Sequence, residues 1–296
     1  MNRKEFLSVL GGMTAMNSIS EFNVFTNSLK KEDEKMPVLF VGHGSPMNAI
    51  EDNEFTLRWR QMGKDIPKPK AILVISAHWL TRGTHITAMN NPQTIHDFGG
   101  FPQQLFDVQY PAPGDAKLAA ETASLFTSTT VGLDHEWGLD HGAWSVTKQM
   151  FPNAEIPVLQ LSIDYNKSPE YHYNLAKQLS TLRNRGVLIL ASGNMVHNLR
   201  IMRLPQGDFN RINEAYGFDW TLEMNELFKK KIEERDHQSL INYEDLHTAA
   251  KLAIPTPDHY YPLLYAMALQ DRNESAMIFN DKAVAGSLTM TSVKIG

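Results

Sequence analysis

The chain has 296 residues, 42% of them apolar and 21% charged, the proportions of an ordinary globular protein with ample length for a core. A formal net charge of −5, with no long lysine or arginine cluster, excludes nucleic acid as an expected partner. With no cysteine, disulfides, thiolate metal sites and cysteine nucleophiles are excluded, so a metal must be held by His, Asp or Glu.

The N-terminal "NRKEFLSVLGGM" places Arg3-Lys4 ahead of a short, weakly apolar stretch. It resembles a degraded twin-arginine export signal, with Lys4 where the second arginine would stand. The "TAMNSISEF" that follows is polar and shows no small-x-small cleavage site, the pattern of a disordered leader. Cytoplasmic and periplasmic locations both remain open. The charge run "KKEDEK" reads as a solvated linker, so residues 1–35 form leader and linker and the ordered domain is expected over 36–296. No apolar run is long enough to span a bilayer, and no membrane partner is expected.

From Met36 onward, "VLFVGH" and "AILVISAHW" are continuous apolar, β-rich runs, the pattern of strands buried on both faces. Between them "NEFTLRWRQMGKDI" has helical spacing and is stopped by "PKPK"; "THITAMN" is a further strand. "PGDAKLAAETASLFTST" reads as a helix with Asp115 as its cap. "IPVLQLSID" is a strand, and "PEYHYNLAKQLSTLRNRG" one helix closed by Gly186. "VLILASGNMVHN" returns to strand and "NEAYGFDWTLEMNELFKKKIEERD" to a long helix. Another helix opens at "PTPDHYYPLLYAMALQ", and "SLTMTSVKI" supplies a last strand. The alternation predicts one α/β domain around a mixed, mainly parallel sheet with helices on both faces.

The eleven histidines are unevenly placed. His43 ends the first strand between two glycines, His78 ends the second, and His197 follows "VLILASG". In open α/β sheets, sites form beyond the carboxyl ends of strands, so three imidazoles converge there if those strands are neighbours. His259, in "PTPDHYYP", is expected in the first turn of a helix capped by Asp258. His141 in "GLDHGAW" and His96 in "TIHDFGGFP" lie in Gly-rich loops that could fold over the same edge. A single strand-end histidine is more often a hydrogen-bonded structural residue than a ligand. Four in similar settings point to a shared metal site, because imidazole is costly to bury without a partner. His85, His172, His237 and His247 read as structural or exposed. No nucleophile elbow surrounds Ser45, and there is no Walker loop, dinucleotide fingerprint or H-E-x-x-H.

Neutral imidazoles suit zinc, iron, copper or nickel. Zinc with an open position would imply a hydrolase, and iron(II) with open positions an oxygenase; a metal-dependent binding protein without turnover is a third reading. Asp97, Asp140 and Asp258 are nearby acids, none of them distinguished by the sequence.

The segments "VGHGSPMNAI", "ISAHW", "HDFGGFPQQLFDVQYPAPG", "GLDHGAWSV", "ASGNMVHNL" and "PTPDHYYPLLYA" together resemble the bacterial 4,5-DOPA extradiol dioxygenase family. That family belongs to the class III extradiol ring-cleavage dioxygenases, related to the beta subunit of protocatechuate 4,5-dioxygenase. The similarity runs from about Met36 to the C-terminus. It implies a single metal, Zn2+ or Fe2+, at the carboxyl edge of an α/β sheet. His43 and His78 match metal-binding histidines and His259 the third ligand position, which is a carboxylate in the wider superfamily. His197 matches a histidine beside the metal, described as a ligand or as the acid–base residue. His141 corresponds to a histidine contacting substrate or dioxygen. The implied reaction is 4,5-cleavage of a DOPA-like catechol by dioxygen to a muconic semialdehyde, with iron(II) expected for turnover. A zinc hydrolase on the same histidines is the alternative.

Overall fold

The computed structural model describes residues 35–296. The export-signal reading concerns residues before these and lies outside the described residues. Ten strands follow in chain order: β1 (Val38–Gly42), β2 (Ala71–Thr81), β3 (Thr84–Thr87), β4 (Val131–Asp134), β5 (Val158–Asp164), β6 (Val187–Gly193), β7 (Ala276–Phe279), β8 (Ala283–Val284), β9 (Leu288–Thr289) and β10 (Ser292–Ile295). Eight of them form one sheet in the order β4-β3-β5-β2-β6-β1-β10-β7, and β8 and β9 pair separately. The pairs β3–β4, β2–β5, β2–β6 and β1–β6 are parallel. β3–β5, β1–β10 and β7–β10 are antiparallel. The sheet is mixed and mainly parallel, as the sequence predicts.

Every residue of β1, β5 and β6 is buried, which explains their unbroken apolar runs. The two-residue period divides each strand between two cores. Val38, Phe40, Leu73 and Ile75 face one side, where they meet Leu175 of helix α4 (Pro169–Ala176), Phe228 of α5 (Asp219–Glu233) and Leu264 of α6 (Tyr261–Ala268). Leu39, Val41, Ile72 and Val74 face the other, packed on Trp59 of α1 (Glu54–Asp65) and Trp144 of α3 (His141–Met150). Each such side chain contributes about 1.5–3 kcal/mol on burial, so the central strands are held firmly from both faces. Helix α2 (Ala116–Ser124) starts at Asp115, whose side chain accepts from Leu118 N as the sequence predicts. Residues Met36–Gly296 form one compact unit, and among the described residues no helix is long and apolar enough to cross a membrane.

Several expected elements are corrected. The single helix expected up to Gly186 breaks after α4 into a 3-10 turn, Lys177–Leu179, and a short helix, Ser180–Arg183. There the buried Arg183 donates to the carbonyls of Met36 and Leu269 and pairs with Glu274. "NEAYGF" stays outside α5. The last strand divides into β9 and β10. "GLDHGAW" is no loop, because His141 opens α3 with Asp140 as its N-cap. That helix is buried on nearly every side.

Candidate active site

The sheet order places β2, β6 and β1 side by side, so the histidines carried at their carboxyl ends converge. His43 directly follows β1, and its backbone N–H donates to the carbonyl of Gly193 at the end of β6. His78 does not end β2. It sits inside the strand, where the register against β5 shifts between Ile75 and Leu80, and such an irregularity re-aims a side chain. His259 ends a 3-10 turn, Pro257–His259, whose carbonyl accepts from Asn194 N just beyond β6. Asp258 does not cap a helix there, as expected from sequence; its carboxylate accepts from His259 Nδ1 instead.

The glycines beside His43 make room for another part of the chain. A Cβ on Gly42 would lie 2.7 Å from the backbone carbonyl of Met290, and Gly44, at φ +62°, faces the Met290 side chain. They admit the segment before β10. Gly193 likewise lets the His259 carbonyl dock against β6.

Five histidines, His43, His78, His141, His197 and His259, line one cavity of about 300 Å³. Their hydrogen bonds determine which nitrogens are free. Ser192 Oγ donates to the carbonyl of Gly142 at 2.6 Å, so it accepts from His43 Nδ1 at 3.1 Å. Asp97 accepts from His141 N at 2.8 Å and His141 Nδ1 at 2.9 Å, and lies 3.5 Å from His78 Nδ1. The Nδ1 atoms of His43, His141 and His259 are thus held by Ser192, Asp97 and Asp258, which leaves Nε2 of each ring as the atom to meet a ligand. The Nε2 atoms of His43 and His78 stand 3.1 Å apart. Two nitrogens each about 2 Å from one ion stand about 3 Å apart, so the pair fits a shared cation. Ligating atoms of His43, His78 and His259 all lie within 4.8 Å of one another. This donor set fits a divalent metal, with the oriented Nδ1 partners that metal-binding histidines need.

Burial, followed by the neighbouring imidazoles, holds His43 and His78 well below the usual histidine range, so both are neutral and able to ligate. Burial also lowers His197, with His259 the next cause. Burial alone would raise Asp258, but its bond to His259 brings it down to about 2. Asp97 is lowered too, since its bonds to His141 outweigh its burial.

His197 stands apart from the three-histidine set. Its ring stacks on His259 at 3.5 Å and 4°, and its nearest ligating neighbours are Asp258 and His259. Among the described residues no side chain or carbonyl is hydrogen-bonded to its ring. His96 is outside the cavity: its Nε2 donates to the Val108 carbonyl at 3.0 Å and its ring packs behind Phe98 on Trp144. His85, His172 and His237 are structural; His172 Nδ1 meets Tyr265 Oη at 3.0 Å. Asp140 works one layer down. It caps α3 while accepting from Ser76 Oγ and Gln160 Nε2, both at 2.7 Å, and so ties His141's helix to β2 and β5. A larger groove of about 430 Å³ beside Lys64 and Glu155 holds no comparable cluster of ligating groups.

The sequence reading missed Ser192 and the apolar wall of Phe98, Phe101, Met202, Phe209 and Ile212. Phe98 and Phe101 lie within "HDFGGFP"; nothing local marks Ser192 or Phe209.

A family model described as the catalytic LigB subunit of aromatic ring-opening dioxygenase matches residues 37–292. The chain is 46% identical over 263 residues to a 4,5-DOPA dioxygenase extradiol of Escherichia coli (strain K12), covering 88% of this chain and 95% of that protein. It is 34% identical over 270 residues to a 4,5-DOPA dioxygenase extradiol of Beta vulgaris, covering 89% and 97%. A crystal structure of the uncharacterized protein JW3007 from Escherichia coli K12 superposes with a TM-score of 0.76 at 40% identity, covering 88% of this chain and all 100% of that one.

Proposed function

The chain belongs to the family of the catalytic LigB subunit of aromatic ring-opening dioxygenases, extradiol oxidoreductases that depend on a metal, and from that premise we propose that it opens the ring of a 3,4-dihydroxyphenyl compound by 4,5-cleavage. In that reaction both atoms of dioxygen enter the product. The bond between hydroxylated C4 and its unsubstituted neighbour C5 breaks, C4 becomes a carboxylate and C5 an aldehyde, giving a muconic semialdehyde. The names of the relatives supply the ring class. The observation that carries the reading for this chain is the convergence of five imidazoles, with His43 and His78 held neutral by burial, on one apolar cavity of about 300 Å³.

His43, His78 and His259 would hold the ion, iron(II) for turnover, through Nε2 of His43 and His259. When bound, the ion supplies a Lewis acid that lowers the pKa of a catechol hydroxyl and, as iron(II), electrons for dioxygen. The protein contributes the rest. His197, neutral and without a hydrogen-bonded partner, takes the hydroxyl proton released as the catechol binds and returns it as the ring opens. Asp97 fixes the His141 ring through Nδ1, so Nε2 is the atom left to hydrogen-bond the substrate. Phe98, edge-on to the His141 ring at 5.6 Å, excludes water and offers a face to the aromatic substrate. Holding both reactants at one place replaces an improbable three-body encounter.

Oxygen consumption with 3,4-dihydroxyphenyl compounds, compared among apo, iron(II)-loaded and zinc-loaded protein, tests the reading. Uptake with iron(II) alone, accompanied by a yellow ring-fission product, is expected. No uptake across a broad catechol panel with iron bound would overturn it in favour of a zinc hydrolase on the same histidines.

A further inference from the structure

The cavity continues outward as an aromatic passage. From His141 the contacts run edge to face, first to Phe98 at 5.6 Å, then from Phe98 to Phe101 at 5.4 Å and from Phe101 to Phe209 at 5.6 Å. Phe209 reaches the surface at 41% exposure, as does Leu199 at 57%. Met202, Ile212 and Leu288 complete the wall. Among the described residues the lining contains neither lysine nor arginine, and its one acid, Asp97, is already engaged by His141. Arg200 is exposed and is not part of the wall.

We propose that this passage selects catechols whose side chain is uncharged and apolar, an alkyl or aryl group, over those whose side chain carries a carboxylate. The inference rests on the ring-cleavage reading above and names its substrate class. With the diol directed at the histidines, the ring substituent lies along Phe98, Phe101 and Phe209. A carboxylate drawn into that passage leaves water without meeting a lysine or arginine of the wall. A methylene placed there leaves water for an apolar wall, a gain of about fourfold in affinity for each one buried.

The test is anaerobic calorimetry on the metal-loaded full chain, using catechol, 4-ethylcatechol, 4-butylcatechol, 3,4-dihydroxyphenylpropanoate and DOPA, alongside aerobic kcat/KM for the same compounds. Expected is a Kd that falls about fourfold per methylene along the alkyl series, with the propanoate at least about tenfold weaker than an alkylcatechol of similar length. Leu199→Arg, an exposed change at the mouth, is expected to narrow that gap. Binding of the propanoate or of DOPA as tight as that of the alkylcatechols overturns the inference while leaving ring cleavage intact. The expected order of Kd without oxygen uptake from any compound would keep the selectivity and overturn the ring-cleavage reading.

Discussion

Ser192 decides which nitrogen His43 turns to the cavity. Its hydroxyl proton is committed to the Gly142 carbonyl at 2.6 Å, so its oxygen accepts from His43 Nδ1 at 3.1 Å and leaves the Nε2 lone pair turned to the His78 side of the cavity. Ser192→Ala removes the acceptor and frees the imidazole to turn or change tautomer. Loss of such an orienting partner typically weakens metal affinity about 10–100-fold. Competitive titration with a metal-binding dye should show that drop with the fold intact by circular dichroism; unchanged affinity would mean that the hydroxyl does not orient the ligand.

His197 differs from the other cavity histidines because no hydrogen bond fixes its ring. His197→Ala is therefore expected to retain close to the full complement of metal while losing at least about 10²-fold in kcat, the scale of a general acid–base contribution. Metal content by atomic absorption and initial rates, measured on one preparation, separate the two effects. A variant that loses its metal would make His197 a ligand, and one that keeps full turnover would remove it from proton transfer.

Gly193 is where β6 yields to the His259 turn, whose carbonyl occupies the space a Cβ would fill. That carbonyl also accepts from Asn194 N at 2.8 Å, so the turn cannot retreat without losing a buried hydrogen bond. Gly193→Ala is expected to cost about 1–3 kcal/mol, the range for overpacking a core, and to weaken metal binding by displacing His259. Thermal unfolding with and without metal reads both; an unchanged melting temperature would contradict the close docking.

Stability of the metal-free protein should fall on acidification. His43 and His172 are fully buried and held below their unfolded value of 6.5, by burial in each case, and His172 is pushed down to about 4. Their unfolded forms therefore bind protons first. The stability is fully present above about pH 6.5 and declines as pH falls below it, for His172 toward about 4, by up to about 1.4 kcal/mol per pH unit for each group. Urea unfolding of the apo protein between pH 7.5 and 5 should show its midpoint moving down; a midpoint flat through that range would show that these histidines are not buried neutral.

Sequence alone determined the buried central strands β1, β2, β5 and β6 and pointed to the histidines that gather at one end of them, while β4, β7 and β8 were not legible in it. Apolar runs such as "VLILASG" can be stable only where both faces are covered, and covered parallel strands put their carboxyl ends on one edge. That logic made His43, His78 and His197 legible as neighbours, and a turn fixed by prolines added His259. What each histidine does was decided by tertiary structure, because an imidazole's tautomer depends on its hydrogen-bond partner, and those partners arrive from distant parts of the chain. Ser192 reaches His43 across 149 residues and Asp97 reaches His141 across 44. The same holds for the passage, where Phe101 meets Phe209 only because two irregular segments are folded over one end of the sheet. Helix α3 escaped sequence reading because the glycines on either side of Asp140-His141 read as a loop, and only the fold shows Asp140 capping a helix buried on nearly every side.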